Sequence, residues 1–205
     1  TALLCLENTQ GGKVLPQEYL KKAKKFTKDN SLSLHLDGAR IFNAAVKLNI
    51  DVKEITQYFD TISCCLSKGL GAPVGSVLCG PQHLIKKARR WRKVLGGGMR
   101  QAGILAGAGI YALSNNIQRL EKDHGNALAL ARGLAEIEGI NIDVDLVQTN
   151  IFFADIKADM VHLCDYLKKK GIIIDKSNNL RIVTHLDISE EDIDYTIKAV
   201  KGFFT

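Results

Sequence analysis

No C-x-x-C pair occurs among the five cysteines, Cys5, Cys64, Cys65, Cys79 and Cys164. Their odd number and scattered spacing speak against a disulfide framework and against a metal site, so no metal is expected. They read as small buried hydrophobes in a reducing compartment. Apolar runs are short as well. None approaches the length that crosses a bilayer, and the N-terminal TALLCLENTQ lacks the charged region of a signal peptide. A cytoplasmic location without a membrane partner is the expectation. No block of like charge is long enough for a nucleic-acid arm, and few aromatics are interleaved with the lysines, so no nucleic-acid partner is expected either. Internal repeats and low-complexity segments are missing.

What is present describes a globular chain. Its 205 residues, 46% hydrophobic and 24% charged, are enough to bury a sizeable core. The net charge of +6 suits a phosphate-bearing ligand. The apolar run ALLCLEN starts at residue 2 with no cap or turn before it, like a strand cut from a longer sheet. A chain that is part of a longer one is the expectation.

Elements then alternate in the manner that builds a parallel sheet. Tyr19, Leu20, Ala23 and Phe26 share one face of a helix whose other face is lysine. SLSLHLDGAR reads as a strand ending at Asp37-Gly38, IFNAAVKLNI and DVKEITQYF as short helices, and TISCCLS as a buried strand. VGSVLCG is a further strand. From Pro81 to Asn115 the pattern is helical, with Pro81 in the first turn, one basic face, and an interruption at GGGM. A long helix from Asn116 is expected to end at a Gly139 cap. Beyond it come NIFFADI, a helix from about Asp159 to Lys170, GIIID, LRIVTHLD and a last helix opened by Ser189 and Asp192 as a capping box. The fold class expected is α/β: a large domain over 1–140 with a mainly parallel sheet, then a small C-terminal α+β domain over 141–205.

Ligands of doubly wound sheets sit beyond the carboxyl ends of the strands. Asp37 and Lys68 each lie at such an end. A lysine there, in a partly desolvated pocket, can offer the neutral amine that forms an imine, and an aspartate at the neighbouring strand end can face a cation. Together they match what pyridoxal phosphate chemistry requires. The same residues also fit plainer roles, Lys68 as a solvated loop residue and Asp37-Gly38 as a turn and helix cap. His35 shares strand parity with Asp37 and is placed to stand behind it as a donor. His83, His124, His162 and His185 read as structural.

Five blocks in order, HLDGARIFNAAV, SKGLGAPVGSVLCG, RWRKVLGGGMRQAGILA, DHGNALALA and LRIVTHLDIS, resemble the low-specificity L-threonine aldolases, fold-type-I pyridoxal phosphate enzymes. The blocks span nearly the whole chain. The resemblance implies a fold-type-I architecture, with Lys68 holding pyridoxal 5'-phosphate as a Schiff base and Asp37 against its pyridine nitrogen. It implies Arg40 near cofactor and substrate carboxylate, Ser67 as a hydrogen-bonding neighbour, and Arg181 as the fork that receives the carboxylate. Lys93 and Arg100 are implied at the cofactor phosphate or the site's mouth, in a neighbouring subunit. The implied reaction cleaves L-threonine or L-allo-threonine to glycine and acetaldehyde, in a homodimer or homotetramer. Alternatives are another fold-type-I lyase or transferase, or a truncated, inactive homologue serving as a non-catalytic subunit. Two departures stand out. The family draws its phosphate loop and a ring-stacking histidine from upstream of LLCLENT, and it places a histidine after ENT where this chain has Gln10 followed by Gly11-Gly12.

Overall fold

The computed structural model describes residues 1–205, which form two compact units. The first comprises Thr1–Gln10 and Val14–Arg119, the second Gly11–Lys13 and Leu120–Thr205. The division falls earlier than the expected 140/141 boundary. Its physical reason is the helix α6 (Leu120–Ala135), whose Ala127, Leu130, Ala131 and Leu134 are buried in the core of the second unit.

In the first unit, β1 (Leu3–Glu7), β2 (Ser33–Asp37) and β3 (Thr61–Cys65) run parallel in that order, and β4 (Ser76–Cys79) closes the edge antiparallel to β3. Side chains alternate across a strand. Leu34 and Leu36 are therefore fully buried against α1 (Gln17–Asp29) and α2 (Ile41–Leu48), through Leu20, Ala23, Ile41 and Ala44. His35 and Asp37 occupy the opposite face. Burying a Leu or Ile of this kind contributes roughly 1.5–3 kcal/mol each, so this one-sided core is what holds the strand ends in place. A short helix α3 (Val52–Thr56) starts at Asp51, which forms a capping box with Glu54.

Two polar devices align the strands. Asp60 precedes β3; its carboxylate accepts from the Leu34 amide at 2.7 Å and from Lys24 Nζ at 2.7 Å, while its own amide donates to the Leu34 carbonyl. At the other end, the Gly38 amide donates to the Ser63 carbonyl at 2.7 Å. A Cβ on Gly38 would lie 2.9 Å from that same oxygen. Glycine is what lets the chain leave β2 so close to β3.

The expected buried strand at TISCC is only half-buried, and β4 is exposed at all four residues. The cause is the element that follows. Helix α4 (Gln82–Val94), for which Pro81 is the cap residue and not the first turn, buries none of its side chains. It leaves a groove of about 470 Å³ against Val77 and Leu78. Helix α5 (Gly103–Asn115) buries only Gly109 and Ala112.

In the second unit an antiparallel sheet, β5 (Ile140–Asn141), β6 (Ile151–Ile156) and β7 (Asn179–Val183), packs with α6, α7 (Met160–Lys168) and α8 (Glu190–Phe204) around Phe152, Ala154, Leu163 and Ile193. This is the expected α+β arrangement. The Ser189–Asp192 capping box is present. Gly139 is not a helix cap, since α6 ends at Ala135; it takes φ +91° in the turn that enters β5. GIIID forms no strand, and Ile172–Asp175 is irregular.

Two outcomes follow from the strand alignment. The hydrogen bond from Lys24 holds the Asp60 carboxyl below its ordinary value, so its contribution is complete above the ordinary carboxylate range and is lost as pH falls through the lowered value. Asp60→Asn is expected to cost about 1 kcal/mol at pH 7, reduced by solvent screening of a partly exposed pair. Its stability should converge with the wild type in acid, which urea melts across pH check. Gly38→Ala is expected to cost about 1–3 kcal/mol, because the oxygen it meets is backbone and cannot rotate away; urea melts at neutral pH read the loss.

Candidate active site

The register places Glu7, Asp37 and Ser63 side by side at the carboxyl ends of β1, β2 and β3. Asp37 is exposed, and its Oδ1 accepts the Ala39 amide at 3.0 Å. That bond turns the chain into α2 and fixes the carboxylate at the strand's end. The Asn8 amide donates to the Asp37 carbonyl at 3.0 Å, so the end of β1 holds the end of β2.

Lys68 belongs to a turn built by the glycine-rich stretch. The Gly71 amide donates to the Lys68 carbonyl at 2.8 Å, with Gly71 at φ +76°. The Ala72 amide donates to the Leu66 carbonyl, and the Leu66 amide to the Gly75 carbonyl, so a short loop is pinned at its base. Leu66 and Leu70 are buried while Ser67 and Lys68 project outward. The apolar residues anchor the turn and the amine stands free of any ion pair. A second anchor, Asn116 Nδ2 donating to the Leu70 carbonyl at 2.8 Å, was not legible in the sequence, where an Asn after a helix reads as a cap.

The sequence-derived candidates thus divide. Asp37, Ser67 and Lys68 lie at the carboxyl ends of adjacent parallel strands, and Arg40 is half-buried at the cap of α2. The partly desolvated pocket expected around Lys68 is not found: the side chain is exposed, because β3 and β4 on its flank are incompletely covered. His35 does not stand behind Asp37; its Nδ1 pairs with Thr61 Oγ1 at 2.8 Å. Arg181 lies in β7 of the second unit, exposed and opposite Phe153 in the register. Lys93 and Arg100 are exposed around the tri-glycine turn, where Gly98 packs so closely on Lys93 that a Cβ would lie 2.4 Å from its Cδ.

Charge is distributed unevenly along the sequence. No Asp or Glu occurs between Asp60 and Glu121, a stretch that holds Lys68, Arg100 and the six basic residues of α4. The cysteines take no part. All five are free thiols, but only Cys164 is buried as expected; Cys5 and Cys79 are exposed, and Cys64 and Cys65 half-buried, because the strands that carry them are incompletely covered. Burial, with smaller contributions from Cys79 and Cys65, pushes the Cys64 thiol up. No group of histidines, cysteines and carboxylates is arranged to hold a metal ion.

The chain is 53% identical over 194 residues to the low specificity L-threonine aldolase of Escherichia coli (strain K12), which covers 94% of this chain and 57% of that protein. It is 43% identical over 206 residues to the low-specificity L-threonine aldolase 1 of Arabidopsis thaliana, covering 96% and 58%. The chain therefore spans less than two thirds of the length of these relatives. Among solved structures, the Leishmania major threonine aldolase superposes with a TM-score of 0.79 at 20% identity, covering all of this chain and 61% of the other. A PLP-dependent aminotransferase from Streptococcus suis superposes with a TM-score of 0.73 at 17% identity, covering 100% and 58%. At such identities the superpositions speak for the fold, which is fold type I. Residues 1–158 match the family described as Beta-eliminating lyase, and the chain belongs to that family.

Proposed function

We propose that this protein binds pyridoxal 5'-phosphate through Lys68 and cleaves L-threonine or L-allo-threonine to glycine and acetaldehyde. One observation carries the reading: an exposed lysine amine outside any ion pair and an exposed carboxylate, Asp37, at the carboxyl ends of adjacent parallel strands. These residues fit the group. A primary amine can hold an aldehyde covalently, and a carboxylate suits a ring nitrogen that must stay protonated. When bound, the cofactor supplies the electron sink for the pair released as the Cα–Cβ bond breaks.

The chain's residues bind and orient. Asp37 holds the proton at the ring nitrogen, and its bond to the Ala39 amide limits its freedom to turn away. Ser67, next to Lys68 on the same pinned turn, offers a hydroxyl to the cofactor. Arg40 contributes a cation close to Asp37 in the chain. Arg181 takes the substrate carboxylate in a bidentate fork, which fixes how the amino acid lies before bond cleavage. Lys93 and Arg100 of a neighbouring copy serve the phosphate or the mouth of the site. A homodimer or homotetramer agrees with the exposed Ile104, Ile110 and Tyr111 of α5, since apolar patches of this kind mark interfaces. Five free thiols agree with the cytoplasm.

Borohydride reduction after addition of pyridoxal phosphate is expected to leave the label on Lys68, located by peptide mass spectrometry. Lys68→Ala should lose the label and reduce threonine cleavage to below about one-thousandth. A label on another lysine, with Lys68 unmodified in folded protein, would favour the non-catalytic homologue.

A further inference from the structure

The sheet of the first unit ends in a bare strand. β4 pairs with β3 and with no other strand, so its outer edge joins no ladder. Soluble proteins commonly blunt such an edge with charge or proline. Ser76, Val77, Leu78 and Cys79 offer neither, and all four are exposed. Successive side chains of a strand point to opposite faces, yet Ser76, Val77 and Leu78 all line one groove of about 470 Å³. The groove therefore follows the edge of β4 and not one of its faces. Its other wall is a single face of α4, where Ile85, Ala88, Arg89 and Arg92 recur at helical spacing. Ile85 and Ala88 supply apolar surface, and the two arginines supply cations. No carboxylate lines the groove, and neither arginine makes an ion pair.

We infer that this groove receives an extended segment of an acidic partner polypeptide, added as a strand on the free edge of β4. Main-chain hydrogen bonds along the edge hold the segment, and every second side chain faces α4. An apolar side chain meets Ile85 and Ala88. A carboxylate two residues along meets Arg89 or Arg92, whose planar forks can each bind it through two hydrogen bonds. A second copy of this chain suits the groove poorly, because a two-fold contact would bring the same arginines face to face. A lipid surface offers the edge no ladder. The inference does not depend on the proposed role of Lys68.

The probe is a blocked peptide centred on Glu-Thr-Val-Thr-Glu, titrated into the purified chain by calorimetry, with Lys-Thr-Val-Thr-Lys and Glu-Thr-Pro-Thr-Glu as controls. The wild type is expected to bind the first and neither control, and amide exchange across Ser76–Cys79 should slow on binding. Arg89→Glu and Arg92→Glu, both at exposed positions, should each weaken binding by about tenfold, the effect of losing one charge-assisted hydrogen bond. The double variant should take the lysine peptide instead. A wild type that binds none of these peptides overturns the inference, as does binding that both single variants leave unchanged or that leaves exchange in β4 unslowed. Two rival occupants have their own signatures. Protection of the β4 amides in a self-associated chain without peptide assigns the groove to a second copy. Affinity for phosphatidylserine vesicles that Arg89→Glu removes, with none for the peptide, assigns it to a lipid surface. Either result overturns the inference.

Discussion

The parallel pairing of β1, β2 and β3 is the constraint on which the candidate site depends. Parallel strands bring their carboxyl ends to one edge, and the rung that joins Glu7, Asp37 and Ser63 determines which side chains meet there. A slip of one residue would carry Asp37 to the opposite face and Leu36 out of the core. The burial of Leu34 and Leu36, the Asp60 clamp at one end and the Gly38–Ser63 hydrogen bond at the other all oppose that slip. Lys68 inherits its place from the same rung, because the turn that bears it is pinned at Leu66, just after β3.

Charge is distributed as unevenly as burial. The stretch without acidic residues carries Lys68, the basic helix α4 and Arg100. The carboxylates that complement them in number sit elsewhere, many at helix starts such as Glu190, Glu191 and Asp192 in the first turn of α8. There they satisfy amides and favour the helix dipole. Helix α4 exposes its apolar Leu84, Trp91 and Val94 together with its six cations.

Much of this was legible in the sequence because it rests on local rules. Alternation in SLSLHLD marks the face of β2, the glycines around Lys68 mark a turn, and Ser189 with Asp192 marks the start of α8. What escaped depends on contacts distant in sequence. Composition makes TISCC look buried, yet burial is decided by what packs on a strand, and the neighbouring β4 and α4 bury none of their residues. Helix α6 looks like a continuation of the large domain, but its Ala127 and Leu130 are claimed by β6 and α8. His35 has the parity to face Asp37, and the hydroxyl of Thr61 on the neighbouring strand captures its ring instead. GIIID has strand composition but no strand pairs with it, so it forms the wall of a groove.

The most direct measurement of the central claim is a crystal structure of the chain with pyridoxal phosphate. Continuous density from Lys68 Nζ to the cofactor, with the Asp37 carboxylate at hydrogen-bonding distance from the ring nitrogen, is the expected result. A cofactor attached elsewhere, or a ring nitrogen remote from Asp37, would contradict the assignment of these strand ends as the site.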